Sequence, residues 1–133
     1  MPLVDAEDIG PDDEIWRRIP PAPGRQLTYE HDENRWRPSS AAFQDSDGPD
    51  DPLSALLGRE DTAERALAGK WSGFFLASVS AGLLRSHQQG IARGPTAEDA
   101  NHLLIFGRKT HSRRQRWAKS ARWIVGPDLP PPP

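Results

Sequence analysis

The stretch His102-Leu-Leu-Ile-Phe-Gly107 decides how the chain is to be read. Its continuous apolar run, headed by a polar residue and closed by glycine, is too short for a buried helix and has the length of an interior strand. Ser72 to Ser80 repeats the pattern, with Phe74, Phe75, Leu76 and Val79 following Gly73, and predicts another buried strand. Helix start and stop signals flank both runs. The combination predicts a small α+β single domain with a few strands and three or four short helices, an irregular acidic N-terminal arm and a proline-rich C-terminal tail.

Between the two strands, Ser80 is placed to cap a helix through Gln89, with Gly90 as its stop, and Ile91 to Arg93 suits a short strand before the Gly94-Pro95 turn. Downstream, Ser112 is placed to cap a last helix that runs to about Val125. Upstream, Asp51, Pro52 and Gly58 have the order expected at the ends of a short helix, and Asp61 with Glu64 opens a second that Gly69 terminates. Asp12 to Ile19 suits one or two helical turns or a short strand, stopped by Pro20, Pro21 and Pro23. Residues 24–52 are turn-rich. The expected organisation is a mobile acidic tail over 1–11, the domain over 12–125 and a stiff proline-rich tail over 126–133.

Residues 53–125 hold 31 apolar residues against 15 in residues 1–52, so the core is drawn mainly from the later block. Ile15, Trp16, Ile19, Trp36 and Phe43 are the expected anchors from the earlier one. Without cysteine there are no disulfides, thiolate metal sites or cysteine nucleophile. The N-terminus lacks the basic start and apolar run of a secretory signal, and no stretch approaches the ~18 apolar residues of a membrane span. A soluble, cytoplasmic protein with no membrane partner is expected. Its 14 Arg to 3 Lys, with abundant Ala, Pro, Gly and Asp, is the bias of a GC-rich bacterial genome.

Charge is divided along the chain. Residues 1–66 carry 7 Arg and no Lys against 16 acids, whereas residues 67–133 carry 10 cations against 3 acids. Seven of those cations, Arg108, Lys109, Arg113, Arg114, Arg116, Lys119 and Arg122, fall within fifteen residues. On a helix from residue 113, Trp117, Ala121 and Ile124 share one face, and Arg116, Lys119 and Arg122 project from the other. Such a row can neutralise phosphates of a nucleic acid, with Trp123 near enough to stack on a base. The plainer reading is a solvated face, or one that docks on the acidic first half.

Catalytic candidates are sparse. Arg37-Pro-Ser-Ser-Ala-Ala-Phe places Ser39 and Ser40 beside Arg35 and Arg37, a set suited to an anion or, with a nearby His, to nucleophilic chemistry. The glycines of a nucleophile elbow are missing, and a turn is the simpler account. His102, at the head of the best strand, is the foremost histidine; no pair has zinc-helix spacing, and no phosphate-cradling glycine loop occurs. Neither metal nor cofactor is expected. A catalytic pocket would gather Arg17, Ser39, Ser40, His102 and Lys109.

Asp13-Glu-Ile-Trp-Arg-Arg-Ile, Arg37-Pro-Ser-Ser-Ala-Ala-Phe and His102-Leu-Leu-Ile-Phe-Gly-Arg-Lys-Thr, in this order, resemble a family of small uncharacterised bacterial proteins over residues 12 to 125. The resemblance implies no activity. An early Arg followed by a Ser-Ser element is also similar to the Arg and Ser motif elements of ADP-ribosyltransferase-like toxins; as a counterpart to their later catalytic Glu the second half offers only Glu98. The leading expectation is an accessory or interaction protein without catalysis, binding a protein partner through the acidic arm and basic helix. A small nucleotide- or nucleic-acid-directed enzyme or toxin, and a nucleic-acid-binding protein, are the alternatives.

Overall fold

The computed structural model describes residues 2–48 and 50–133. It is a small α+β domain built on a six-stranded antiparallel sheet. The strands, in chain order, are β1 (Glu14–Ile19), β4 (Leu53–Leu57), β5 (Phe75–Ser80), β6 (Gly90–Arg93), β7 (His102–Phe106) and β8 (Arg122–Val125), with β2 (Leu27–Glu30) and β3 (Arg35–Pro38) forming a separate hairpin. Spatial order in the sheet is β6-β7-β4-β1-β5-β8. Three short helices complete the fold: α1 (Ala63–Ala66), α2 (Ala81–Ser86) and α3 (His111–Ser120).

Strand alternation sorts the side chains onto two unequal faces. On one, Ile15 and Ile19 of β1 meet Leu53, Ala55 and Leu57 of β4, Ala77 and Val79 of β5, and Leu103 and Ile105 of β7. Trp117 and Ala118 of α3 and Phe43 of the 3₁₀ segment Ser40–Phe43 cover this main core. The opposite face carries a smaller cluster of Trp16, Leu56, Leu76 and Ala66. That face is only partly roofed, by α1 and the turn bearing Trp71.

β5, β6 and β7 form where the sequence predicts strands, and Ser80 caps α2 by accepting the Leu83 amide. α2 ends at Ser86, short of the expected Gln89, and other expectations also need correction. Residues 52–57 are not a helix: Leu53–Leu57 pair with β7 on one side and β1 on the other, and burial of Leu53, Ala55, Leu56 and Leu57 overrides the local helix-end signals. Gly58 is required there for close approach, since a Cβ would lie 2.5 Å from Trp16 Nε1. α3 is capped by Thr110, not Ser112, and ends at Ser120. From Arg122 the chain becomes a strand because β5 needs a partner on its free edge and Trp123-Ile-Val suits one. α1, finally, is capped by Thr62 rather than Asp61.

The N-terminal segment, read from composition as a free tail, lies against the body. Ile9 is buried, the Ala6 amide donates to the Ile91 carbonyl (2.8 Å), and Asp5 accepts the Ile91 amide (2.8 Å). These contacts satisfy the exposed edge of β6, while Arg93 and Arg59 pair with Asp8 and Arg85 with Asp5. Amide exchange should therefore show Ala6 and Ile91 protected and the exposed Val4 unprotected; equal exchange at Val4 and Ala6 would contradict the docking. Among the described residues no helix is long and apolar enough to cross a membrane.

Candidate functional site

The proposed catalytic residues do not meet as a set. Ser39 donates to the Arg25 carbonyl, and Ser40 opens the 3₁₀ turn that delivers Phe43 to the core. His102 Nδ1 lies 2.7 Å from the Gly94 carbonyl, which fixes it as the protonated nitrogen and orients the ring across the β6–β7 turn. Lys109 is buried against Asp45 (2.6 Å) and donates to the Ile105 and Gly107 carbonyls. Burial pushes its pKa down despite the Asp45 charge. Arg35 and Arg37, expected to assist an anion beside the serines, both bind Glu30.

Arg17 and His102 do share a cleft. It has a volume of about 650 Å³, is walled by Trp16, Trp71 and Phe74, and lies where β1 and β4 diverge. Those strands pair only at Ile15↔Leu57 and Trp16↔Leu56. Beyond this point the Ser54 carbonyl lacks a β1 partner, and Arg17 Nη1 supplies one (3.3 Å) while Nε donates to the Ala42 carbonyl (2.9 Å). Burial, with Arg18 beside it, pushes the Arg17 pKa down to about 10. Neutral carbonyls are its partners; among the described residues no carboxylate forms an ion pair with it. The side-chain carbonyl oxygen of Gln26, also on the cleft, is buried with no donor among the described residues.

The adjacent cation is treated differently. Arg18 binds Asp99 through both terminal nitrogens (3.0 Å each), donates to the Ala66 carbonyl and stacks 4.5 Å above the Trp71 ring. Arg65 joins Asp99 (2.9 Å) to Asp61 (2.6 Å), and Asn101 ties Asp61 to the Leu57 carbonyl. The Arg18 bonds, reinforced by Arg65, hold the Asp99 carboxyl at about 2, well below the usual carboxylate range. This network ties α1, β1 and the loop before β7 into one cleft wall. Of these residues only Arg17 and His102 are among the pocket residues Arg17, Ser39, Ser40, His102 and Lys109 expected from the sequence. A signal for Asp99 existed, since it is one of just three acids in residues 67–133.

The basic segment is not an unbroken row. Arg122 lies on β8 and pairs with Glu14 (2.7 Å), and Lys109 is taken by Asp45. Arg113 and Arg114 fold back onto the carbonyls of Arg108 and Lys109. Arg108, Arg116 and Lys119 remain exposed. With three such cations, any DNA or RNA binding should be weak, with a slope of log K against log salt of about −2 to −3. Charge reversal at Arg116 and Lys119 should abolish it in a filter-binding assay without loss of fold; a steeper slope that survives reversal would restore a wider nucleic-acid face.

No family model, curated protein or solved structure matches the chain.

Proposed function

We propose that the chain is a non-catalytic interaction protein whose cleft receives an anionic oxygen, a carboxylate or a phosphate, presented by a partner. The observation that carries this reading is Arg17: a half-buried residue whose guanidinium is bonded to neutral carbonyls and to no carboxylate among the described residues, on a cleft large enough for a small acidic group. Holding a cation in such a place is costly unless an opposite charge completes it. His102 is tied to a backbone carbonyl and neither serine lines the cleft, so the residues present favour holding a ligand over transforming it. The acidic N-terminal arm is matched within the chain by Arg59, Arg85 and Arg93, which leaves the cleft and the exposed Arg108, Arg116 and Lys119 of the basic segment open to an acidic partner.

The test is thermal unfolding with inorganic phosphate, acetate or a short acidic peptide, against chloride at matched ionic strength. Ligand at a hundredfold excess over Kd should stabilise the protein by on the order of 2.7 kcal/mol. Stabilisation by phosphate alone assigns a phosphate, and by acetate and the peptide a carboxylate. An equal gain in an Arg17→Met variant would refute the assignment.

A further inference from the structure

A second surface, unrelated to the anion cleft, lies on the β2–β3 hairpin. Tyr29 and Trp36 face each other across the strands with rings edge-on at 5.3 Å, and His31 packs edge-on against Tyr29 at 4.9 Å. Trp123 Nε1 donates to the Trp36 carbonyl (3.0 Å), locking the hairpin to β8. The tail leaves β8 close over Trp123: a Cβ at Gly126 would lie 2.9 Å from the Trp123 ring. Leu129 packs against the main core, and the Pro130 carbonyl accepts the Trp36 indole N–H at 3.1 Å.

Pro130 to Pro133 have fixed φ and no N–H, so they favour the polyproline II helix, whose carbonyls are all left free to accept. An indole N–H aimed at a proline carbonyl beside aromatic rings is how polyproline II segments are read by protein grooves. Because proline fixes φ in advance, binding such a segment orders little chain.

We infer that the Tyr29–Trp36 face is a docking site for a polyproline II segment of a partner protein, and that the chain's own tail occupies it in cis. The tail starts directly after β8, so its effective concentration at the face is in the millimolar range. A partner segment must displace it, which restricts access to partners that are tighter or locally concentrated.

The test titrates a peptide of the sequence of residues 127–133 into the ¹⁵N-labelled full chain, following the Trp36 indole resonance. The same titration is run on a full-length variant carrying Pro130→Gly, Pro131→Gly, Pro132→Gly and Pro133→Gly. The variant should bind the peptide at least ~10-fold more tightly than the wild type, because its own tail no longer competes. Trp36→Phe in that background, which removes the indole donor and is followed instead through the Trp123 indole bonded to the backbone carbonyl at position 36, should weaken binding again by about 10-fold. The Trp117 indole, bonded to His87 inside the core, reports that each variant is folded. Equal affinity in wild type and variant, indifference to Trp36→Phe, or a Trp36 resonance in the wild type that does not move at millimolar peptide each overturns the proposal. So does a dimer formed by tail exchange that accounts for all binding, since the face then serves a second copy.

Discussion

Asp99→Asn should destabilise the protein by about 3 kcal/mol in denaturant unfolding, one of the largest losses available to a near-isosteric substitution. Arg18 and Asp99 are only 10% and 8% exposed, so the variant leaves a guanidinium with little water and half its partner removed. Arg65 loses one of its two carboxylates at the same time. The dependence on pH gives an independent reading. Asp99 is depressed to about 2 in the folded protein, so its contribution, on the order of 2 kcal/mol, is fully present above its unfolded pKa near 4. It is lost as pH falls from about 4 through about 2. The variant should therefore lose less stability than the wild type across that window. The bonds from Arg65 and Asn101 lower Asp61 as well, against the effect of its burial, so part of the acid loss should persist. Parallel acid limbs in the two proteins would show that the bonds from Arg18 and Arg65 do not hold Asp99 below its usual range.

The second large effect is on binding. Arg17→Met should weaken the affinity for the anion by about 10- to 150-fold, the worth of a charge-assisted hydrogen bond made out of water. Some loss of stability accompanies it, because the Ser54 and Ala42 carbonyls each lose a donor. Arg17→Lys separates the two contributions. A lysine keeps the charge but cannot hold two carbonyls and an anion in one planar fork, so it should retain part of the affinity with an intermediate loss of stability.

The sequence carried the sheet unevenly. β5, β6 and β7 were legible because their apolar runs are bounded by glycine and polar residues, so local composition and final burial agree. β4 was not. Its Asp51-Pro52 start and Gly58 end are sound local signals for a helix, but the strand is created by two neighbours that arrive from distant sequence, β1 and β7. The β2–β3 hairpin hides for a related reason: its turn depends on Asn34 at φ 50°, and its strands hold Arg35, Trp36 and Arg37, whose packing is supplied by Glu30, Tyr29 and the tail. α3 was extended too far because Trp123 and Ile124 fit a helical face as well as a strand edge, and only the free edge of β5 decides between them.

For the site, Arg17 and His102 were identified and do lie on one cleft, whereas Ser39, Ser40 and Lys109 are engaged elsewhere. The importance of Arg17 rests on something no local pattern encodes, the divergence of β1 from β4 that opens the Ser54 carbonyl. The Arg17-Arg18 pair gave a partial hint. On a strand, two adjacent cations must point to opposite faces, so at least one had to be buried or paired.

The most direct test of the anion cleft is an NMR titration of the Arg17 Nε–Hε resonance with inorganic phosphate, and separately with acetate, at constant ionic strength. A saturable shift at Arg17 with one of the anions, accompanied by the Trp16 and Trp71 indole signals and absent with chloride, is the result expected. Shifts confined to the exposed Arg116 and Lys119, with Arg17 unmoved at saturating anion, would contradict the assignment of the cleft as the binding site.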